Sequence, residues 1–162
     1  LMTATPLAMI GHGFHIDDAS FVIQWHMVAM FAPAFFTGSI IHRFGVDKVM
    51  VAGTVLLGVA ITSALSGNQI IHFWTALFAL GLGWNFAFIG ASTLLTETYA
   101  PSEKAKAQAL NDFLVFGMVT LASLTSGTIL YFLDWRAVNF AAIPAIGVAL
   151  IATLWLMGMR RP

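Results

Sequence analysis

The sequence predicts an all-α membrane protein of five complete spanning helices and one partial helix. Three observations carry that reading. First, only 9% of the 162 residues are charged, 59% are apolar, and the mean hydropathy is +0.89. A soluble domain carries roughly 25% charge, so most of this surface has to meet lipid rather than water. Second, five runs contain no Asp, Glu, Lys or Arg: Ala19–Ile41, Val49–Ser66, Ile70–Thr96, Phe113–Leu133 and Ala137–Met159. Each comes close to the roughly 20 apolar residues that a bilayer-spanning helix needs. Third, the basic residues gather in alternate loops, as they do in a threaded bundle.

The formal net charge is zero, which excludes a basic nucleic-acid footprint. Cysteine is absent, which removes disulfides, thiolate metal sites and cysteine nucleophiles. No catalytic residue, cofactor or metal is expected.

The elements follow in order. The stretch 1–10 is apolar but covers only about half a bilayer, so it reads as the end of a helix and the chain as a fragment of a longer protein. The loop Gly11–Asp18 carries His12 and His15 near Asp17 and Asp18; one short loop is thin support for a metal centre. The span 19–41 holds Gln24, Trp25 and His26 in its outer third. The loop His42–Lys48 leads to the span 49–66, and Ser66–Gln69 is a turn by composition. The span 70–96 follows. The connection Glu97–Asp112 is rich in Ala, Lys and Gln and should turn helical, so the next span covers 106–133. Asp134–Arg136 makes a tight corner before the span 137–159. Pro6, Pro33 and Pro144 fall inside apolar stretches, where each removes a backbone donor and kinks its helix.

Arg43, Lys48, Lys104, Lys106, Arg160 and Arg161 fall on one side of this threading and Arg136 alone on the other. The positive-inside rule then places the C-terminus in the cytoplasm, and a bacterial inner membrane is the expected location.

The string Gly38-Ser39-Ile40-Ile41-His42-Arg43-Phe44-Gly45-Val46-Asp47-Lys48 resembles the signature loop of the major facilitator superfamily. It matches at Gly38, Arg43 and Gly45. It departs at His42, where that pattern has Asp, and at Val46 and Asp47, where it has a basic pair. Gly38 would let two helices approach closely, and Gly45 would permit a tight turn. Met2–Met9, Gly83-Trp84-Asn85-Phe86 and Leu94-Leu95-Thr96-Glu97 resemble bacterial permeases of the same superfamily, and riboflavin importers within it look similar in these strings.

The resemblance implies the C-terminal half of a twelve-helix bundle, from the end of helix seven through helix twelve. It implies secondary active transport of a small organic solute by alternating access, with a proton as the candidate coupling ion, in partnership with the missing N-terminal half and the lipid bilayer.

Within that frame the span 70–96 would be helix ten, one of the cavity-lining helices. Ala79, Gly83, Ala87 and Ala91 recur every four residues and make a small-residue stripe for close packing. Gly81, Asn85, Phe88 and Ser92 share another face, with Trp84 alongside. An intramembrane Asn faces a partner or a cavity. The solute contacts implied are Trp84 and Phe88 by stacking and Asn85 by hydrogen bonding, with Thr5, Gln24 and His26 beside them. His26 and Asp112 are the candidates for proton coupling. For Asp112, a place about one turn inside its helix offers a simpler reason, the helix dipole. The resemblance also implies an ion pair between Arg43 and Glu97, and lipid-facing positions for 49–66 and 137–159.

Two other classes compete. A membrane scaffold or sensor subunit would need no polar residues at cavity depth. An intramembrane protease would need His-Glu-x-x-His, which is absent, or a serine with a later histidine; Gly90-Ala91-Ser92 is present, but no His follows His72.

Overall fold

The computed structural model describes residues Leu1–Arg160. Among the described residues the chain is all-helical, with no strand. The helices are α1 (Ala4–Gly11), α2 (Ile16–Phe31), α3 (Ala34–Phe44), α4 (Val46–Ser66), α5 (Ile70–Leu95), α6 (Lys104–Phe132) and α7 (Trp135–Met159), with a 3-10 turn at Pro101–Glu103 before α6. Four of them, α4 to α7, are long and apolar enough to cross a membrane. The α2–α3 pair makes a fifth if it is taken as one bent span.

That bend is the main departure from a set of straight spans. The axis turns by 44° between α2 and α3, at Pro33, which has no N–H to continue the ladder. Pro144 also lies inside a helix, yet α7 runs unbroken past it. Pro6 sits in the first turn of α1, where a missing donor is tolerated. At Pro33 a side chain of another helix bonds residues on both sides of the break.

Helix ends follow local chemistry. Asp134 caps α7, its Oδ1 accepting from the Ala137 N–H at 2.7 Å, and the Asp18 carboxylate accepts from the His15 N–H at 3.1 Å to close the start of α2. Such caps satisfy donors that a helix start leaves free. Gly45 alone links α3 to α4 with φ +89°, a backbone region nearly closed to other residues. Its expected turning role is met. Gly38 is different: a Cβ there would find open space, so it does not bring two helices together.

The centre of the fold is α5. Gly83 lies against Gly53 of α4: a Cβ on Gly83 would sit 2.8 Å from the Gly53 carbonyl, and one on Gly53 would sit 2.9 Å from the Ala87 nitrogen. The small-residue stripe of α5 is therefore the seam with α4. Gly81 lies on the other side, where a Cβ would meet the His26 carbonyl of α2 at 2.6 Å. At the end of the bundle that carries Asp134, Phe73 is fully buried among Met9, Val22 and Trp135. Its ring centroid is 5.6 Å from that of Trp135, and the Trp135 indole N–H donates to the Ala64 carbonyl at 3.2 Å.

A third of the apolar stretch of α4 is buried, the same share as α5, against 6% for α6 and for α7. The peripheral place expected for 49–66 is not met, because the glycine seam draws α4 between α5 and α7. The helix that stands out is α6, with Leu110, Phe113, Phe116, Leu121 and Leu124 all exposed.

Overpacking a close seam costs about 1–3 kcal/mol or more. Gly83→Val in the full-length protein should therefore lower its unfolding temperature in detergent by several degrees. Gly58→Ala, where a Cβ meets nothing within 4 Å, should leave it unchanged.

Candidate functional site

Three of the polar residues expected to meet solute have their polar atoms committed inside the bundle. Asn85 is 4% exposed. Its Nδ2 donates to the Met30 carbonyl at 2.8 Å, and its Oδ1 accepts from Thr37 Oγ1 at 2.6 Å. Met30 lies in the last turn of α2, where carbonyls lack helical partners, and Thr37 lies on α3. The Thr37 hydroxyl also reaches the Pro33 carbonyl at 2.8 Å. Asn85 thus bridges both arms of the Pro33 break, a task that explains a buried amide in an apolar span without any solute.

His26 is 2% exposed, and its Nδ1 lies 2.7 Å from the Leu77 carbonyl, pinning α2 to α5. Thr5 is fully buried, and its hydroxyl donates back to the Leu1 carbonyl at 2.9 Å. The expectation that Asn85, His26 and Thr5 contact solute therefore gives way to helix packing. A polar side chain in lipid has to find a partner, and a neighbouring backbone supplies one in each case.

The aromatic pair is placed otherwise. Trp84 and Phe88 stack with centroids 5.8 Å apart and planes 10° from parallel. Phe88 then meets Phe116 of α6 at 6.2 Å. Both α5 rings are half-buried and Phe116 is exposed, so the three make an aromatic ledge between α5 and α6. Gln24 is exposed on α2, two residues from His26 and so on the face turned away from α5.

The sequence reading missed a hydroxyl cluster. Ser123 Oγ of α6 donates to Thr3 Oγ1 at 3.0 Å, Thr3 Oγ1 is 3.3 Å from Ser126 Oγ, and the Ser126 hydroxyl donates to the Ser123 carbonyl at 2.9 Å. The signal available was the run of hydroxyls at Thr120, Ser123, Thr125, Ser126 and Thr128, which looks like ordinary helix filler until α1 is placed beside it.

At the basic end, Glu97 does not take Arg43. Arg160 Nη2 donates to Glu97 Oε2 at 2.8 Å, and Arg160 Nε lies 3.9 Å from Asp47 Oδ2. Arg43 is exposed, with its guanidinium 5.3 Å from the Phe44 ring centroid. The reason is geometric: α7 ends beside both acidic groups, so Arg160, the residue that follows it, reaches them. These groups are partly exposed, so the cluster contributes at most about 1 kcal/mol.

Asp112 lies eight residues beyond Lys104, the first residue of α6. That is beyond the first turn, where the dipole acts, so the dipole explanation falls away. Its Oδ1 accepts only from the neighbouring Asn111 amide, at 3.2 Å, and it is exposed. A shallow apolar depression of about 340 Å³ is lined by Phe21, Trp25, Ile70, Ile71 and Trp74. It offers no polar group, and its tryptophans suit a membrane interface.

Two outcomes follow. Asn85→Ala should destabilise the full-length protein by about 1–2 kcal/mol in thermal unfolding without any solute present. Arg160→Ala should change stability by less than about 1 kcal/mol, and Arg43→Ala should change it still less; a larger loss for Arg43→Ala would show that it holds the acidic groups instead.

Comparison with known proteins agrees with this architecture. The family model of the Major Facilitator Superfamily matches residues 1–162. The chain is 46% identical over 151 residues to a riboflavin transporter of Brucella anthropi, covering 93% of this chain and 38% of that protein. It is 34% and 32% identical to two uncharacterised transporters of the superfamily from Bacillus subtilis, each over 71% of this chain and 27% of the relative. The chain thus spans well under half the length of each of these relatives. No solved structure matches it. An all-helical bundle with four or five helices fit to cross a membrane, matched along its whole length by one family, places this chain in the Major Facilitator Superfamily.

Proposed function

We infer that this chain is half of a secondary active transporter that moves a small organic solute across a bacterial inner membrane by alternating access. The observation that carries the reading is the uncovered face of α5 and α6. It bears an aromatic ledge and, where Thr3 meets α6, a hydroxyl cluster, both within stretches free of charged residues, and one half-bundle rocking against another needs such a face at the midplane. The partner would be the remaining length that its relatives possess, and the lipid bilayer would cover the rest. Arg160, Glu97 and Asp47 would lie on the cytoplasmic side, as the distribution of basic residues favours.

The relative from Brucella anthropi is named for riboflavin, which makes riboflavin the first solute to test. Trp84 and Phe88 are the solute contacts that the geometry supports best, with Gln24 as an exposed polar neighbour. Asp112 is the better candidate for a coupling proton, since among the described residues no cation pairs with its carboxylate, while His26 is held in packing. Gly38, Arg43 and Gly45 would keep their loop in the gating region, and the Arg160 cluster would take over the ion pairing.

The full-length protein reconstituted in vesicles should take up riboflavin in a saturable way. If a proton drives it, an inward proton gradient should raise the initial rate, and Asp112→Asn should abolish that increase while leaving exchange without a gradient in place. No uptake of any member of a solute panel would end the transporter reading.

A further inference from the structure

We propose that the α5–α6 face selects a flat aromatic ring joined to an uncharged, hydroxylated chain, with Trp84, Phe88 and Phe116 carrying the ring and the Thr3–Ser123–Ser126 cluster recognising the chain. The proposal rests on the transporter reading and specifies what its solute site reads.

The spacing comes from α6. Phe116 and Ser123 are seven residues apart, so they share one face of the helix, separated by about 10 Å along its axis. Thr120 lies between them and is exposed, with its hydroxyl turned back to the Phe116 carbonyl at 2.8 Å. An aromatic platform and a hydroxyl cluster therefore stand in one line along α6, about 10 Å apart. The ledge has the geometry of a ring platform: the Trp84 and Phe88 planes lie within 10° of parallel, and Phe116 presents an exposed ring across the groove.

The direction of the hydrogen bonds says what the cluster accepts. A hydroxyl has one proton and two lone pairs. The Ser123 proton goes to Thr3 and the Ser126 proton goes to the Ser123 carbonyl. Among the described residues Ser123 Oγ receives no hydrogen bond, and Thr3 is exposed. The cluster therefore offers acceptors to a solute that brings O–H donors. No charged residue occurs between Phe113 and Leu133, so nothing on this stretch would compensate a phosphate or carboxylate on the chain. Depth agrees as well: Ser123 is nine residues from the end of α6 at Phe132, about 14 Å in and near the middle of a hydrocarbon core of about 30 Å.

The test measures binding to the full-length protein in detergent with four probes: riboflavin, its ring without the chain (lumichrome), its chain without the ring (ribitol) and riboflavin 5′-phosphate. Wild type should bind riboflavin best, lumichrome more weakly, and the phosphate at least about tenfold more weakly than riboflavin. Phe116→Ala should weaken riboflavin and lumichrome together by about tenfold, the effect of losing one stacking partner. Phe116→Tyr should restore both and shows that the fold survives. Ser123→Ala should weaken riboflavin by about three- to tenfold and leave lumichrome unchanged, so that the preference between them collapses. Equal losses for both probes in Ser123→Ala, unchanged binding in Phe116→Ala, or tight binding of the phosphate would overturn the division of labour while the solute stands. Failure of wild type to bind riboflavin would overturn the solute of the preceding reading and this proposal with it.

Discussion

Everything in this half-bundle hangs on two glycines of one helix. Gly81 and Gly83 are two residues apart, so they point to nearly opposite sides of α5. One admits the backbone of α2 at His26 and the other admits α4 at Gly53. In lipid there is no hydrophobic force to press helices together, and close contact through small residues takes its place. A side chain at either position would push a neighbour outward. The burial of α4, the register of His26 against Leu77 and the position of Asn85 beside the Pro33 break all follow from that double contact.

The break at Pro33 shows why polar residues inside a membrane span are ambiguous. The missing N–H and the bend that ends α2 leave carbonyls that lipid cannot satisfy, and an amide from a packed helix is the simplest remedy. Asn85 supplies both a donor for α2 and an acceptor for α3. A bent helix held on both arms by one side chain is also a natural pivot, since the two arms can move only if that bridge adjusts. Pro144 lacks such a bridge, and α7 stays continuous.

The aromatic ledge and the hydroxyl cluster differ from Asn85 in what they leave unused. Asn85, His26 and Thr5 spend their polar atoms on the bundle. Trp84, Phe88 and Phe116 leave π faces open, and Ser123 leaves an acceptor. A site for a solute has to be built from groups with capacity to spare, held by groups with none. Asn85 and His26 lie along the α2–α5 contact and Thr5 within α1, whereas the aromatic rings lie between α5 and α6 and Ser123 lies where α6 meets Thr3.

Composition and the length of uncharged runs determined that this is an all-helical membrane protein, because a chain with 9% charge has to satisfy its backbone in lipid as helices or a closed barrel, and uncharged runs near 20 residues have the length of a spanning helix rather than of a barrel strand of about 10. The turning role of Gly45 and the packing role of the stripe through Gly83 were also legible, since each depends on local conformation or on helical period. The partner of each polar residue was not. Asn85 looks the same in sequence whether it meets a solute or the Met30 carbonyl, and Glu97 looks the same whether Arg43 or Arg160 reaches it. Such choices depend on which helices lie side by side and at what rotation. The cluster of Thr3, Ser123 and Ser126 joins residues some 120 positions apart, and only the packing of α1 against α6 brings those hydroxyls within hydrogen-bond reach.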